Sequence, residues 1–566
     1  MPMPNFLELI FARLESAANR PVLAELRSVS PVSVTGGELL DEIRRARAWL
    51  RKYGLRPGDR CALVGANSIL WVALDLALMA EGVVVVPLYS RQSPAELAAM
   101  LLDAQPRFLF CADAALGKSI ADVWPAGAAA PPARVTFEEV FLGQLLTGHA
   151  PAQGDLPNRP IPLENSALVT IIYTSGTSGE AKGVCLTLAN VSFMLGCTAA
   201  RLDQLMQPAP ATAVDRVFHY LPFNFAASWL LLLSCLRRES TLTLSTDLTK
   251  LADEIRAAEP HYFLNVPTLL ERVRRGVEDA LATRGAIVRA LFSRSRAAWQ
   301  RRIDRQPRVL DSFFLALAGK LIFSKIRARF GPHLRALICG SAPLAPETQQ
   351  FFLMLGIPVL QAYGLTETTG ICTLDDPTRP PVPGFVGVSI PGIEMRIAEN
   401  SELLVRGPHI FPGYWRRPEE TAQVLRGDWF HTGDQAEFDS EGHLRIIGRI
   451  KNLLVLNSGH KIAPEPIEEK LQLLIPGAQQ VVVVGNDRGY LCALVTGPVA
   501  DASVQAALDA LNPELPHYRQ LRHFTVIPEA FTPESGLLTA NGKLRREAIN
   551  SRFANPINAM YDRRQT

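Results

Sequence analysis

The first third of the chain alternates between short apolar runs and longer stretches with helical periodicity. Residues 37–53 place Leu39, Ile43, Ala46 and Leu50 on one stripe, which predicts a helix. The segments that follow predict strand, helix, strand, helix and strand: CALVG, ILWVALDLALMAEG, VVVVPLY, PAELAAMLLDA and FLFCA. Because a crossover helix between two strands makes the strands parallel, this order predicts an α/β fold with a parallel sheet.

A further apolar run, LVTIIY, leads into a loop of hydroxyl groups and glycines that is followed by a lysine. Small residues let the backbone approach a ligand, and successive N–H groups form a concave site for an anion. The order GTSGEAKG differs from the GxxxxGK[ST] of a Walker loop. The choice is between a phosphate-binding loop and an ordinary polar surface loop. The candidate phosphate-binding residues are Thr174, Ser175, Gly176, Thr177, Ser178, Gly179 and Lys182.

The stretch IIYTSGTSGEAKGV, residues 171–184, resembles the signature of the adenylate-forming superfamily, whose usual form is YTSGTTG-x-PKG. Ser178 stands for the second Thr and Ala181 for the Pro, so the hydroxyl and the lysine are kept. That superfamily holds acyl-CoA synthetases, firefly-type luciferases and nonribosomal adenylation domains. The resemblance implies a large N-terminal domain of βαβ-type sheets, at 1–449, and a smaller mobile α/β C-terminal domain, at 450–566.

Four further motifs follow in the order of the superfamily: CGSAPL, QAYGLTETTG, WFHTGD and GRIKN. The resemblance implies ATP and Mg²⁺ as ligands, with Glu367 as the oxygen ligand of the metal and Thr366 as a phosphate hydroxyl. It also implies that Asp434 binds the ribose and that Arg449 reaches the ribose or a phosphate. The residues expected beside the adenine are Gly340, Ser341 and Ala342, with Tyr363 as the stacking face next to Gly364.

The C-terminal motif LLTANGKLRREAI contains Lys543, which the resemblance identifies as the lysine that enters the active site for adenylation. Attack of a carboxylate on the α-phosphorus builds negative charge on oxygen, and a cation placed beforehand stabilises it. The resemblance also implies a hinge at Lys451. Rotation about this hinge would remove Lys543 and present SGHK, where Gly459 would let the pantetheine arm of CoA pass close to the backbone.

LPFNFAASWLLLLSCL, residues 221–236, predicts a buried helix, and in the superfamily this stretch borders the acyl pocket. The resemblance places Phe223, Phe225 and Trp229 at the pocket, with Trp229 where some long-chain enzymes have a gating tryptophan. Many members have a His where this chain has Phe225. The string KLIFSKIRARFGPHLRALICGSAPL, residues 320–344, is similar to the long-chain acyl-CoA synthetases, so we expect a fatty acid substrate.

Composition narrows the class of protein. The 566 residues are enough for two to four domains, and a net charge of +3 is too small for a nucleic-acid-binding chain. The eight cysteines form no CxxC pair, which indicates a reducing compartment. The N-terminus has no basic leader before an apolar run, and the longest apolar run is too short to span a bilayer. These features predict a cytoplasmic protein.

Residues 271–308 hold eleven arginines and four acidic residues, interleaved with Phe292, Trp299 and aliphatic residues. A basic amphipathic helix can lie on an anionic membrane surface. The alternative is an arginine-rich helical insertion that water solvates. The sequence therefore leaves open a peripheral contact with the inner face of the membrane.

We predict an AMP-forming acid–thiol ligase that converts a medium- or long-chain fatty acid to acyl-AMP and then, with CoA as co-substrate, to acyl-CoA. A second reading keeps adenylation but delivers the acyl group to an acyl carrier protein or to an internal acceptor, as in β-lactone closure. A third reading is a non-catalytic acyl or nucleotide sensor, which loss of Lys182, Glu367, Asp434, Arg449 or Lys543 would favour; all five are present.

Overall fold

The structure, a computed structural model, describes residues 4–27, 31–142, 159–175, 181–207, 214–532, 534–539 and 542–562. A large N-terminal domain and a smaller C-terminal domain are present, so the predicted α/β fold class is confirmed. The helices of these residues are α1 (Phe6–Ser16), α2 (Gly36–Lys52), α3 (Ile69–Ala80), α4 (Pro94–Ala104), α5 (Ala114–Asp122), α6 (Phe137–Phe141), α7 (Leu188–Met206), α8 (Ala226–Arg237), α9 (Leu251–Ala258), α10 (Pro267–Ala282), α11 (Ala286–Ile303), α12 (Asp311–Ala318), α13 (Ser324–Arg327), α14 (Pro346–Met354), α15 (Pro418–Val424), α16 (Glu465–Leu474), α17 (Asp501–Leu511), α18 (Arg546–Arg552) and α19 (Ala554–Asp562).

One sheet of the large domain has, among the described residues, the strand order β6-β5-β3-β4-β7-β8. Its strands are β3 (Arg60–Val64), β4 (Val84–Leu88), β5 (Phe108–Cys111), β6 (Ala133–Thr136), β7 (Leu168–Ser175) and β8 (Ala181–Thr187). All neighbours are parallel except β7 and β8, which form an antiparallel hairpin. Helices cover the valine-rich central strands, so every residue of β4 is buried. The strand–helix alternation predicted from residue 37 onwards is confirmed.

The segment WPAGAAAPPAR, residues 124–134, is rich in alanine and proline, and its composition predicts a flexible loop. This prediction was wrong at its end, because β6 begins at Ala133 and pairs in parallel with β5. This strand lies at the edge of its sheet. Its residues are exposed or half-buried, so it lacks the run of buried side chains by which a central strand is recognised in a sequence.

A second sheet has the order β15-β14-β13-β12-β11-β9-β10-β1-β2 in the part of the chain described. Its strands are β1 (Pro21–Leu26), β2 (Pro31–Thr35), β9 (Asp215–His219), β10 (Ser240–Ser245), β11 (Tyr262–Asn265), β12 (Ala336–Cys339), β13 (Val359–Tyr363), β14 (Thr373–Leu374) and β15 (Val388–Ser389). The parallel strands β11, β12 and β13 end at one edge of the sheet. The CGSAPL and YGLTE motifs follow β12 and β13, so both lie at that edge, where ligands bind in sheets of this kind.

A third, antiparallel sheet carries the remaining motifs of the large domain. Its strands are β16 (Glu394–Ile397), β17 (Glu402–Arg406), β18 (Leu425–Arg426), β19 (Trp429–Phe438) and β20 (Leu444–Arg449). The WFHTGD motif therefore lies inside β19 and not in a turn. Asp434 is directly opposite Arg449 in the pairing of β19 with β20.

The C-terminal domain is built on three further strands, β23 (Gln480–Val484), β24 (Leu491–Thr496) and β25 (Leu521–Ile527), with a short ladder of β21 (Leu454–Val455) and β22 (Lys461–Ile462). Val481, Val483, Ala493 and Val495 face one core with α16 and α17. On the other side of the sheet, Val482 and Leu494 pack with α18 and α19. The strands are hydrophobic throughout because both faces are covered.

The predicted buried helix at 221–236 is α8, in which Ser228 to Leu236 are all buried. It packs in the largest core of the molecule together with α3, which is buried from Trp71 to Ala80. No helix in the described ranges is both long enough and apolar enough to cross a membrane.

Candidate active site

The β7–β8 hairpin flanks the predicted phosphate loop. Thr174 lies directly opposite Lys182 in the hairpin pairing, so the hydroxyl and the lysine enter the loop side by side. Residues 176–180 and the side chain of Ser175 lie outside the described residues. The assignments of Ser175, Gly176, Thr177, Ser178 and Gly179 therefore stay predictions.

A tyrosine that the sequence analysis missed joins Lys182 to Glu367. The Lys182 Nζ lies 5.4 Å from the centroid of the Tyr414 ring, within reach of a cation–π interaction. The Tyr414 hydroxyl donates to Glu367 Oε1 over 2.9 Å. Burial and the charge of Glu367 raise the pKa of Tyr414 far above its ordinary value, so this hydroxyl stays protonated and acts as a donor. The aromatic and glycine string FPGYW, residues 411–415, was the available signal.

Backbone hydrogen bonds join the FPGYW loop to β8 and to Glu367. Trp415 N donates to Gly183 O over 2.7 Å, and Phe411 N donates to Glu367 O over 2.9 Å. A Cβ on Gly183 would lie 2.7 Å from a carbon of Ile171, so glycine is required for this close approach. The cation of β8 and the carboxylate of the YGLTE motif are thus held by one loop.

Tyr363, Asp434 and Arg449 form a triangle in which Asp434 bonds to each of the other two residues. The Tyr363 hydroxyl donates to Asp434 Oδ2 over 2.7 Å, and Arg449 Nε lies 2.9 Å from Asp434 Oδ1. Burial and the nearby carboxylate raise the pKa of Tyr363 well above its ordinary value. Each carboxylate oxygen has a second lone pair, so Asp434 retains the capacity to accept from two ribose hydroxyls.

Close backbone packing explains the small residues of the two motifs beside this triangle. A Cβ on Gly340 would lie 3.0 Å from Ala362 O, and one on Gly364 would lie 2.4 Å from Gly370 O. Ser341 has φ +74°, a left-handed conformation that costs free energy in a residue other than glycine and occurs often at functional sites. Ser341 and Ala342 are exposed and Thr366 is half-buried. Side chains at this loop are therefore accessible to a ligand.

Lys543 reaches the same cleft from the C-terminal domain. Burial and Arg449 lower the pKa of Lys543, whereas Asp434 and Glu367 raise it, so all three groups lie within electrostatic range of the ammonium. Lys543 is exposed to solvent although protein atoms surround its ammonium group, as in an open cleft. The backbones of Lys543 and Thr539 bond to each other, with Thr539 N donating to Lys543 O over 2.8 Å.

The predicted hinge residue is also part of the cleft. Burial, together with the positive charges of Arg449 and Lys182, lowers the pKa of Lys451 to about 8, although Glu367 and Asp434 act in the opposite direction. Gly459, in contrast, lies in an exposed turn of the C-terminal domain with φ +82°, and a Cβ there would contact nothing within 4 Å. In this orientation the structure brings Lys543 and Lys451 to the nucleotide residues; the role of Gly459 stays a prediction.

The three predicted pocket residues differ in burial. Phe223 and Trp229 are each 1% exposed, whereas Phe225 is half-buried with its ring 6.1 Å from that of Tyr89. Trp229 Nε1 donates over 2.9 Å to Asp75 Oδ2, and burial raises the pKa of this carboxyl to about 7. Because protein interiors are close-packed, an acyl chain that reaches Trp229 has to displace the indole.

The Mg²⁺ ion expected at Glu367 has few candidate protein ligands among the described residues. No group of three or more His, Cys, Asp or Glu that could hold a metal ion occurs within the described ranges. The carboxylate of Glu367 lies in the cleft and accepts a hydrogen bond from Tyr414. Mg²⁺ in nucleotide sites is commonly bound by one or two carboxylates together with substrate phosphates, so this donor set fits the ion.

Comparisons with known proteins agree with this arrangement. The family model of the AMP-binding enzymes matches residues 12–415, and the model of the AMP-binding enzyme C-terminal domain matches 451–565. The long-chain-fatty-acid–CoA ligase FadD15 of Mycobacterium bovis is 28% identical, with 94% of this chain and 92% of the relative covered. The peroxisomal long chain acyl-CoA synthetase 7 of Arabidopsis thaliana is 28% identical, with 93% and 81% covered.

The crystal structure of the anthranilate CoA ligase AuaEII in complex with anthranoyl-AMP superposes with a TM-score of 0.73 at 18% identity, and 99% of each chain is covered. At this identity the likeness shows the fold alone. The family model, in contrast, matches well over half of the chain and falls on residues that bring Lys182, Glu367 and Tyr414 together. The protein belongs to the AMP-binding, or adenylate-forming, enzyme family.

Proposed function

We propose that the protein is an AMP-forming ligase that activates a medium- or long-chain fatty acid and transfers the acyl group to CoA. The observation that carries the proposal is the position of Lys543, which the C-terminal domain inserts beside Arg449, Asp434 and Glu367. The two relatives are named as a long-chain-fatty-acid–CoA ligase and a long chain acyl-CoA synthetase, and these names support a fatty acid as the substrate.

In the first half-reaction, the fatty carboxylate attacks the α-phosphorus of ATP, and pyrophosphate leaves. Lys543 stabilises the charge that develops on the α-phosphate, Asp434 holds the ribose, and Tyr414 orients Glu367. Mg²⁺ bound at Glu367 would neutralise charge on the leaving phosphates. In this orientation of the C-terminal domain, the side chains of the cleft serve adenylation.

In the second half-reaction, the CoA thiol attacks the acyl carbonyl and AMP leaves. This step requires the C-terminal domain to turn, since Gly459 lies in an exposed turn in the present orientation. We place the domain boundary at 449/450 and the hinge at Lys451, directly after the strand that carries Arg449. The transfer needs no covalent enzyme nucleophile. Consistent with that, burial raises the pKa of Cys372, beside the cleft, to about 12 and suppresses its thiolate.

The test is pyrophosphate release from ATP and Mg²⁺ with a series of fatty acids of increasing chain length, with and without CoA. We expect release that requires a long-chain acid and multiple turnovers only with CoA. Pyrophosphate release that CoA does not stimulate would favour an acyl carrier protein or an internal acceptor. Adding an acyl carrier protein that bears its pantetheine arm would then distinguish the two, because only the first acceptor predicts stimulation of release. Absence of release with every carboxylate, with ATP bound, would favour the sensor.

A further inference from the structure

The hairpin of α11 and α12 holds the strongest concentration of positive charge in the chain. Residues 286–318, which form the hairpin, contain seven arginines and two acidic residues, Asp304 and Asp311. The net charge of the hairpin is therefore +5, whereas the whole chain has only +3, so the rest of the protein is net negative. Long-range attraction to an anionic surface would orient the molecule with this hairpin foremost.

Exposed apolar side chains are concentrated on the same hairpin and on the turn of helix directly after it. Isolated exposed hydrophobic residues are ordinary, but a contiguous exposed group indicates an interaction site. Six of the thirteen exposed large hydrophobic residues in the described part of the chain fall between positions 287 and 321. They are Ile287, Ile303, Val309, Leu310, Phe313 and Leu321, with exposed fractions of 85%, 42%, 96%, 61%, 58% and 50%.

The two helices of the hairpin are bonded to each other and packed on the large domain. Ser295 Oγ donates to Phe314 O over 3.1 Å, and Arg301 Nε donates to Asp311 Oδ2 over 3.0 Å, so α11 and α12 are tied at two levels. The inner side of α11, including Leu291 and Phe292, packs against a buried core of the large domain. The connection between the helices is thus presented to solvent on a fixed support.

This connection alternates charge with apolar groups. All residues from 302 to 310 are exposed, and the apolar members Ile303, Val309 and Leu310 stand among Arg302, Arg305 and Arg308. Arg302 and Arg305 form no salt bridge with any residue that the structure describes. Apolar side chains that enter the acyl region, flanked by arginines at the level of the headgroups, form the pattern of an interfacial anchor.

We propose that the tip of this hairpin, residues 302–313, docks on the surface of an anionic bilayer. Nucleic acid is the other polyanion that the charge could attract. Single-stranded nucleic acid is bound mainly by stacking on aromatic side chains, and the exposed apolar residues of the tip are aliphatic except for Phe313. The aliphatic composition therefore favours lipid. This docking goes beyond the ligase cycle and requires neither ATP nor fatty acid.

The experiment is co-sedimentation of the full chain with vesicles of phosphatidylcholine alone and of phosphatidylcholine mixed with phosphatidylglycerol. We expect binding to the mixed vesicles that weakens as salt increases. Arg302→Gln combined with Arg305→Gln should weaken binding by about thirtyfold at low salt, as expected for two arginines near the surface. Val309→Ser combined with Leu310→Ser should weaken vesicle binding by about tenfold or more, and this loss of binding should depend less on salt than the loss caused by the arginine variant.

Matched controls come from exposed residues of the C-terminal domain. Leu474→Ser and Arg552→Gln remove one apolar and one basic group elsewhere on the surface, and they should leave vesicle binding unchanged. The proposal is overturned if the wild-type chain does not bind mixed vesicles, if both tip variants bind as well as the wild type, or if the tip variants lose binding to a single-stranded oligonucleotide while keeping vesicle binding.

Insertion can also be measured without relying on affinity. A fluorophore sensitive to polarity, attached after Leu310→Cys, should shift its emission to the blue on mixed vesicles and not on neutral ones. Labelling is selective because seven of the eight native cysteines are buried and Cys197 is half-buried. An unshifted emission from a chain that binds vesicles would show that another surface makes the contact.

Discussion

Two of the contacts between the C-terminal domain and the large domain have opposite arrangements of charge. At the first contact, on the active-site edge, Lys543 faces Asp434 and Glu367, and Arg545 pairs with Glu96 over 2.6 Å. At the second contact, Glu469 on α16 lies near two carboxylates of the large domain, Glu271 on α10 and Glu347 on α14. At the first contact Lys543 is attracted to carboxylates of the large domain, whereas at the second contact Glu469 is repelled by them.

This difference shows how a mobile domain can be positioned accurately without being held strongly. Burial, together with Glu271 and Glu347, raises the pKa of Glu469 to about 7, which is the sign of an unfavourable environment for its charge. One oxygen of Glu469 is buried with no hydrogen-bond partner among the described residues. The strain at the second contact offsets part of the attraction at the first and lowers the cost of leaving the adenylation orientation.

The largest expected effect comes from removing the cation of the active-site edge. Lys543→Ala should lower the rate of pyrophosphate release by a factor of about 10²–10³, since one preorganised donor to the transition state is lost. Thioester formation from acyl-AMP supplied in advance should be affected far less. The control is Lys470→Ala, an exposed lysine of the same domain paired with Glu514. Equal losses in both half-reactions would contradict the assignment of Lys543 to adenylation.

Asp434→Asn should have the next largest effect. The amide keeps the shape of the side chain but removes the charge that pairs with Arg449 and accepts from Tyr363. We expect kcat/KM for ATP to fall by about ten- to a hundredfold, the range for hydrogen bonds to a charged group. Glu437→Gln, at an exposed position of the same strand, is the matched control. Unchanged kinetics with Asp434→Asn would exclude Asp434 from nucleotide binding.

Glu469→Gln tests the repulsion at the second contact, because it should change how the adenylation rate depends on pH. The ordinary pKa of 4.5 is raised to about 7 in the docked orientation, so docking is fully favourable below about 4.5 and loses free energy as the pH rises to about 7. The ratio of the variant's adenylation rate to that of the wild type should therefore increase several-fold over this range and be flat above it. Glu514→Gln should show no such rise. A ratio independent of pH would remove Glu469 from the domain equilibrium.

The smallest effect is expected from the pair between Arg545 and Glu96. Both side chains are partly exposed, and pairs of this kind contribute little because water screens them. Glu96→Gln should slow adenylation by about twofold, with a larger effect at low salt than at high salt. The reference variant is Asp122→Asn, which breaks an exposed pair with Lys118 far from the cleft. A loss as large as that of Lys543→Ala would mean that this pair holds the domain in place.

Much of the fold could be predicted from the sequence because its signals are local. The helix at 36–52 and strands such as β4 follow from the spacing of apolar residues within one element. The antiparallel pairing of β7 with β8 could not be predicted in this way. The loop between these two strands is rich in glycine and hydroxyl groups. This composition indicates that the loop binds a ligand, but it does not indicate that the flanking strands pair with each other.

The residues of the candidate site could likewise be predicted only in part. Glu367, Asp434, Arg449 and Lys543 were found because their motifs resemble those of the superfamily. Tyr414 was missed because its role arises from contacts with residues 47 positions away or more, and the electrostatic environment of Glu469 depends on helices from another domain. Long-range contacts of this kind leave no periodic pattern in the sequence.

The hydrogen bond between Trp229 and Asp75 has a consequence for protons. Burial raises the pKa of the Asp75 carboxyl, the hydrogen bond from Trp229 lowers it, and the pKa that results is about 7. When an acyl chain displaces the indole, the carboxyl loses this donor in an apolar interior, and its affinity for a proton rises. Entry of the chain would then be linked to proton uptake near neutral pH. Calorimetric titration of the fatty acid in buffers of different ionisation enthalpy would measure that uptake, and Asp75→Asn should abolish it.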